Sequence, residues 1–182
     1  MRTPQLIVMT SMFLLTLTAC QSTEPQKSAT SSHVSKAVAV LTPSSGSSVR
    51  GTVTFSEENG SVTISASLTG LTPGQHGFHI HEWGDINCSD GMCTGSHFNP
   101  TGSQHGDADA TERHVGDLGN SDADASGNAT FQRTDSVLSL NGPHSVIGRA
   151  IVVHANQDDF SQPTGNAGGR VAYGVIGISE IQ

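Results

Sequence analysis

From Ser61 to Leu68 the chain alternates without a break, with Val62, Ile64, Ala66 and Leu68 on one side and Ser61, Thr63, Ser65 and Ser67 on the other. Successive side chains of an extended backbone point to opposite faces, so this segment is a half-buried antiparallel strand. Immediately before it, Asn59-Gly60 is the preferred two-residue hairpin turn, because both residues tolerate positive φ. Val53 and Phe55 supply the apolar face of the strand that leads into that turn. The same period recurs from Ala37 onward, and further strands are expected at Ala37–Leu41, Gly77–Glu82, Ala129–Arg133, Ser136–Leu140, Ile147–His154 and Val171–Ile178. Turn residues at Thr72-Pro73-Gly74, Ser126-Gly127-Asn128 and Asn141-Gly142-Pro143 separate several of them. With 21 glycines and only 4% aromatic residues in 182, an all-β chain of short strands is expected, with no internal repeat.

The N-terminus follows different rules. Arg2 precedes an apolar run, Leu6 to Leu17, that is too short to span a bilayer, so residues 1–19 read as a signal peptide. Leu17-Thr18-Ala19-Cys20 resembles the bacterial lipoprotein cleavage box, which makes Cys20 the expected lipidation site. Residues 20–36 are Ser, Thr, Gln and Lys with almost no apolar content, a solvated tether in which His33 has no assigned role. Residues 37–182 then form one domain with a full hydrophobic core, a length too short for two. The protein is therefore expected to be exported and anchored to a membrane through Cys20, in the periplasm or cell envelope. Gln21 rather than Asp after the lipid-bearing Cys favours the outer membrane where a cell has two.

Two stretches lack the strand pattern: Gly84 to Leu118 and Ala155 to Gly169. Loops this long inside a compact domain are functional or disordered, and metal can supply the order that packing does not. In Gly77-Phe78-His79-Ile80-His81-Glu82 the alternation sends Phe78 and Ile80 to the core and places His79 and His81 side by side on the other face. His97, His105, His114 and Asp117 follow in the first unpatterned stretch, and His154 ends the apolar run Ile151-Val152-Val153. An all-imidazole set suits Cu(II), and three His with one Asp suit Zn, although spacing alone does not say which His goes where. The formal charge of -8 argues against nucleic acid as a partner, which requires clustered Lys and Arg.

Four motifs, His76-Gly77-Phe78-His79-Ile80-His81-Glu82, Gly95-Ser96-His97-Phe98-Asn99-Pro100, Arg113-His114-Val115-Gly116-Asp117-Leu118-Gly119-Asn120 and Gly165-Asn166-Ala167-Gly168-Gly169-Arg170, together resemble copper/zinc superoxide dismutases, in a form similar to bacterial members. The resemblance runs from about Ala37 to Ile178. It implies an eight-stranded antiparallel Greek-key β-barrel, an immunoglobulin-like sandwich architecture, with two long metal-site loops. It implies copper at His79, His81, His97 and His154, and zinc at His97, His105, His114 and Asp117, with His97 bridging. Asp158 would hydrogen-bond His79 and His105 and fix their tautomers. Arg170 would stand beside the open copper position and draw in the superoxide anion, and His97 would take up and pass on a proton. His76 matches a structural histidine, and His144 reads as a turn residue.

One departure from the family is plain. The usual disulfide between the metal loop and the barrel needs a Cys three residues after the Arg, where this chain has Tyr173. A local Cys88–Cys93 bridge is expected instead in an oxidising compartment, with the Tyr173 ring filling the vacated place and its hydroxyl needing a partner. Two other readings carry less weight. A copper-delivery module of similar fold would carry Cys-x-x-Cys or Cys-x-Cys, which this sequence lacks, and a metal-poor surface module would leave a full ligand set idle. Trp83, Ile147-Gly148 and Val175 to Ile178 resemble the apolar dimer patches of eukaryotic members, so a homodimer is compatible with the chain.

Overall fold

A computed structural model describes residues 33–180; the expected signal peptide, Cys20 and most of the tether lie outside the described residues. The strands run β1 Lys36–Pro43, β2 Arg50–Glu58, β3 Ser61–Thr69, β4 Gly74–His81, β5 Asp117–Ala123, β6 Ala129–Asp135, β7 Ala150–His154, β8 Arg170–Val175 and the two-residue β9 Gly177–Ile178. Their order, β2-β3-β6-β5-β4-β7-β8-β1-β9, closes on itself through β1 and β2, so β1 to β8 form an antiparallel barrel. The β3–β6 and β4–β7 neighbours are the long-range pairings of a Greek key.

The predicted hairpin is present in register. Glu58 pairs with Ser61 across a turn in which Asn59 and Gly60 have φ of 52° and 78°. Val53, Phe55, Val62 and Ile64 all point inward with at most 1% exposure. Phe78 from β4 meets Phe131 from β6 edge-on, with ring centroids 5.0 Å apart, which joins the two halves of the core.

Four expected segments differ in the structure. Ser136–Leu140 is not a strand, because carboxylates take the amide protons a neighbouring strand would bind. Asp135 Oδ1 accepts from the amides of Val137 (2.7 Å) and Leu138 (3.1 Å), and Glu57 Oε2 accepts from Leu140 (2.5 Å). Conversely, the first unpatterned stretch ends early, since Asp117–Ala123 is a strand despite its polar composition. Leu118 supplies its inward anchor at 2% exposure. The last two expected strands are also shorter. Ile147–His154 begins only at Ala150, after a turn at Gly148 (φ 78°), and Val171–Ile178 is interrupted at Ile176.

Glu57 Oε2 also accepts from Ser139 Oγ (3.0 Å) and Asn141 Nδ2 (3.3 Å), so this side chain holds the Ser139–Asn141 part of the connection after β6. Replacing Glu57 with Ala strands the buried Leu140 amide and should destabilise the protein by about 1 to 3 kcal/mol. Urea unfolding with an unchanged slope measures it; a midpoint equal to the wild type would show that water replaces the carboxylate at no cost.

Candidate metal centre

The outer face of β4, β7 and β8 is built from side chains in register. His79 lies opposite Val152, and Val152 opposite Tyr173; His81 lies opposite Ala150. Beyond Gly77 the β4–β5 register shifts, which leaves part of the β4 edge to be satisfied by loop backbone. The Ile80 amide donates to Gly116 O (2.8 Å), while Ile80 O accepts from the Phe98 amide (2.8 Å). Further along, Glu82 donates to Ser96 O (2.9 Å), and His97 forms a bridge pair with His81. Ladder hydrogen bonds thus carry His97 to the two strand histidines, and both loops cover a face that alternation alone would leave wet.

Two groups of four result. His79, His81, His97 and His154 form one; His97, His105, His114 and Asp117 form the other; each offers ligand atoms within 4.8 Å of one another, and all are buried. Within the second group Asp117 Oδ1 lies 2.9 Å from His97 Nδ1 and 3.1 Å from His114 Nδ1, and Asp117 Oδ2 lies 3.0 Å from His105 Nδ1. Since His97 turns Nδ1 to this group, its other nitrogen is left for the first, where its ring is 4.1 Å from that of His79.

Hydrogen bonds on the far side of the rings decide which nitrogen each histidine offers. Asp158, fully buried, accepts from His79 Nε2 (2.7 Å) and His105 Nε2 (3.0 Å). With the Nε2 protons held there, Nδ1 is the nitrogen each ring turns toward its group, and both Nδ1 atoms are buried without a hydrogen-bond partner. His81 Nδ1 donates to Gly95 O (3.0 Å) and His154 Nδ1 to Gly168 O (3.1 Å), which leaves their Nε2 atoms facing each other at 3.3 Å. Ring nitrogens that converge in a dry interior with few partners are what a bound cation satisfies, so the donor sets fit a copper and a zinc.

The electrostatics agree. Burial holds His97 down at about 4 against the opposing pull of Asp117, and burial with neighbouring His79 holds His154 at about 3. Burial and the His97 and His154 rings push His81 well below its ordinary value. These rings are neutral at pH 7 and free to ligate. Burial opposes charge on His105 too, but Asp117 and Asp158 outweigh it and raise the group to about 9, so this ring holds a proton at both nitrogens without a metal and gives up the one at Nδ1 to a bound cation. Burial likewise acts to raise Asp117 and Asp158, and bonds from His105 and its neighbours overcome it, keeping both carboxyls well below their usual range.

Arg170 stands at a cavity of about 240 Å3 that His81, His97 and His154 also line. Its guanidinium donates to Gly91 O (2.5 Å), Thr94 Oγ1 (2.9 Å) and Gly95 O (2.6 Å), so it pins the loop while facing the cavity. The expected local disulfide is formed, Cys88 to Cys93, with Cα atoms 6.0 Å apart. Tyr173 packs against Ala150 and Val152, and its hydroxyl donates to Cys88 O, which joins loop to barrel without a covalent bond. His76 spans the carbonyls of His154 and Thr72, both at 2.8 Å, in the structural role expected. His144 sits in a surface turn against Val137 O (2.9 Å), and His33 lies 3.8 Å from Glu57.

Every sequence-predicted ligand therefore lies in one of the two groups, and Asp158 contacts the two rings expected of it. Asn120 and Gly165 lie within the family motifs but had no role assigned from the sequence. The Asn120 side chain accepts from the Asp158 amide (2.7 Å) and donates to its carbonyl (3.0 Å), clamping that residue to β5. A Cβ at Gly165 (φ 74°) would stand 1.7 Å from Asp158 Oδ1 and 2.7 Å from His105 Nε2, so only glycine fits. The role of each comes from contact with Asp158, which no motif in the sequence joins to it.

Comparison with known proteins places this centre. The family described as Copper/zinc superoxide dismutase (SODC) matches residues 49–176. A Brassica juncea protein named Superoxide dismutase (Cu-Zn) 2 is 49% identical over 151 residues, covering 79% of this chain and 97% of its own. A solved structure, that of the clock protein EA4, superposes with a TM-score of 0.75 at 44% identity, over 81% of this chain and 97% of its own. The matched segment holds the whole barrel beyond β1 and both ligand groups, and on that basis the chain belongs to the copper/zinc superoxide dismutase family.

Proposed function

We propose that this protein disproportionates superoxide with copper held by His79, His81, His97 and His154 and zinc held by His97, His105, His114 and Asp117. One observation carries the assignment: two complete, buried ligand groups share a single imidazole. Bound copper supplies the one-electron oxidation and reduction by which two superoxide ions and two protons become one oxygen and one hydrogen peroxide. The chain does the rest. Arg170 offers a positive charge beside the cavity, and with a formal charge of -8 the attraction on the anion is local and focused by the cleft. His97, held at Nδ1 on the zinc side, is the ring placed to hold and deliver a proton from its other nitrogen. Asp158 keeps the two flanking rings in one tautomer throughout.

The same proposal includes export and anchoring. The signal-like N-terminus, the Cys20 box and a disulfide suited to an oxidising compartment support a lipoprotein of the cell envelope. It extends to a homodimer. Trp83 and Ile178 are exposed at 58% and 66%, and Gly84, next to Trp83, abuts Gly148 and Val175, which supports an apolar face there.

Replacing His154 with Ala should abolish dismutation while zinc stays bound; retained activity in that variant would refute the copper assignment. Arg170→Glu should keep both metals and slow turnover by about 10-fold or more, with an altered dependence on ionic strength. For assembly, Trp83→Asp should shift sedimentation from dimer to monomer, and identical profiles for both proteins would remove this face from consideration. Cys20→Ala should free the protein from the membrane fraction, because attachment needs the acyl chains; a variant that still sediments with membranes disproves lipid anchoring.

A further inference from the structure

Strand β6 breaks the alternation that governs the rest of the barrel. Its inward positions run Ala129, Phe131, Arg133, Asp135, and the last two lie opposite the fully buried Ile64 and Val62 of β3. An apolar residue is the expected occupant at such places. They tolerate charge because β5 and β6 pair only at Ala123 and Ala129, so beyond that point the barrel wall is completed by the loop that carries His105 and His114.

Arg133 crosses this gap. Its Nε donates to Asp135 Oδ2 (3.3 Å), and its Nη2 donates to Asp109 Oδ1 (2.8 Å) and to the carbonyl of Ala108. Asp107 to Ala110 is a tight turn, closed by the Ala110 amide on Asp107 O (2.9 Å) and the Asp109 amide on Asp107 Oδ1 (2.7 Å). The turn stands midway between His105 and His114. From the loop side, buried Arg113 donates to the same Asp135 oxygen (2.5 Å) and to the carbonyls of His114 and Asp117, both at 3.1 Å. Two cations and two carboxylates therefore balance, with Asp135 holding the ligand end of the loop through Arg113 and its middle through Arg133.

We infer that Arg133 is a positioning residue for the zinc group: it fastens the midpoint of the His105–His114 segment to the barrel wall and so sets the spacing of those two ligands. The inference rests on the assignment of His97, His105, His114 and Asp117 to zinc. Residues that orient metal ligands from outside contribute roughly 10- to 100-fold to metal retention. Asp109 is 84% exposed on its side chain, so its ion pair is the weaker part of the contact, and the carbonyl of Ala108 the stronger.

The test uses the full protein loaded with copper and zinc, and Arg133→Met and Asp109→Asn variants. Zinc release to a chromophoric chelator should be about 10-fold faster in R133M and about 2-fold faster in D109N. The visible spectrum of the copper site should not change. Hydrogen exchange in the zinc-loaded R133M protein should rise at residues 106–112, while metal-free unfolding is no easier, because methionine suits an inward barrel position. If wild type and R133M release zinc at one rate, the positioning role is wrong although the zinc assignment stands. If faster release only tracks a loss of metal-free barrel stability, Arg133 is a packing residue and the inference also fails. A wild-type protein that takes no zinc would remove the assignment beneath it as well.

Discussion

Asp158 is the interaction on which both ligand groups depend. One carboxylate, itself fully buried, accepts a hydrogen bond from a ring of each group and thereby turns the other nitrogen of each ring toward its metal position. A buried carboxylate with two imidazole donors and the Phe160 amide at 2.9 Å has its lone pairs well used, so its desolvation is offset where it stands. That carboxylate needs the Asn120 clamp to hold its backbone, and Gly165 to leave it room. The second loop therefore contributes position rather than ligands.

The same logic of accounting explains how long polar loops stay ordered. Each loop segment that carries a ligand repairs an incomplete part of the barrel: residues 94–98 and Gly116 satisfy the β4 edge, and the Asp107–Ala110 turn closes the gap between β5 and β6. Backbone groups left unpaired by the barrel are costly when buried, and the metal loop supplies their partners. Fold and centre are in this sense one structure, and metal binding adds order to a loop already attached at several points.

The barrel was legible because alternation is a local signal: Ser61–Leu68 and the Asn59-Gly60 turn require no knowledge of distant residues. The ligands were legible through their residue types and the family motifs that contain them. Strand β5 was not, since its hydrogen bonds to β4 rather than its own composition make it a strand. Ser136–Leu140 misled for the converse reason. Its apolar pattern is real, with Leu138 and Leu140 buried, but its amides are taken by side-chain carboxylates from Asp135 and Glu57. Arg133 likewise sits within an expected strand, and only the open neighbour explains its charge.

The pairing of Cys88 with Cys93 bears on how the molecule is made. Partners five residues apart can meet while the rest of the chain is still extended, so this bond needs no finished barrel to bring its ends together. Among the described residues these are the two cysteines, and they have no other partner to choose between. A bond from loop to strand would instead form only after both had docked, and would then lock them together. Here that junction is the Tyr173 hydroxyl on Cys88 O, which breaks and reforms without chemistry. Oxidation and barrel assembly can thus occur in either order in this chain, since neither waits on the other.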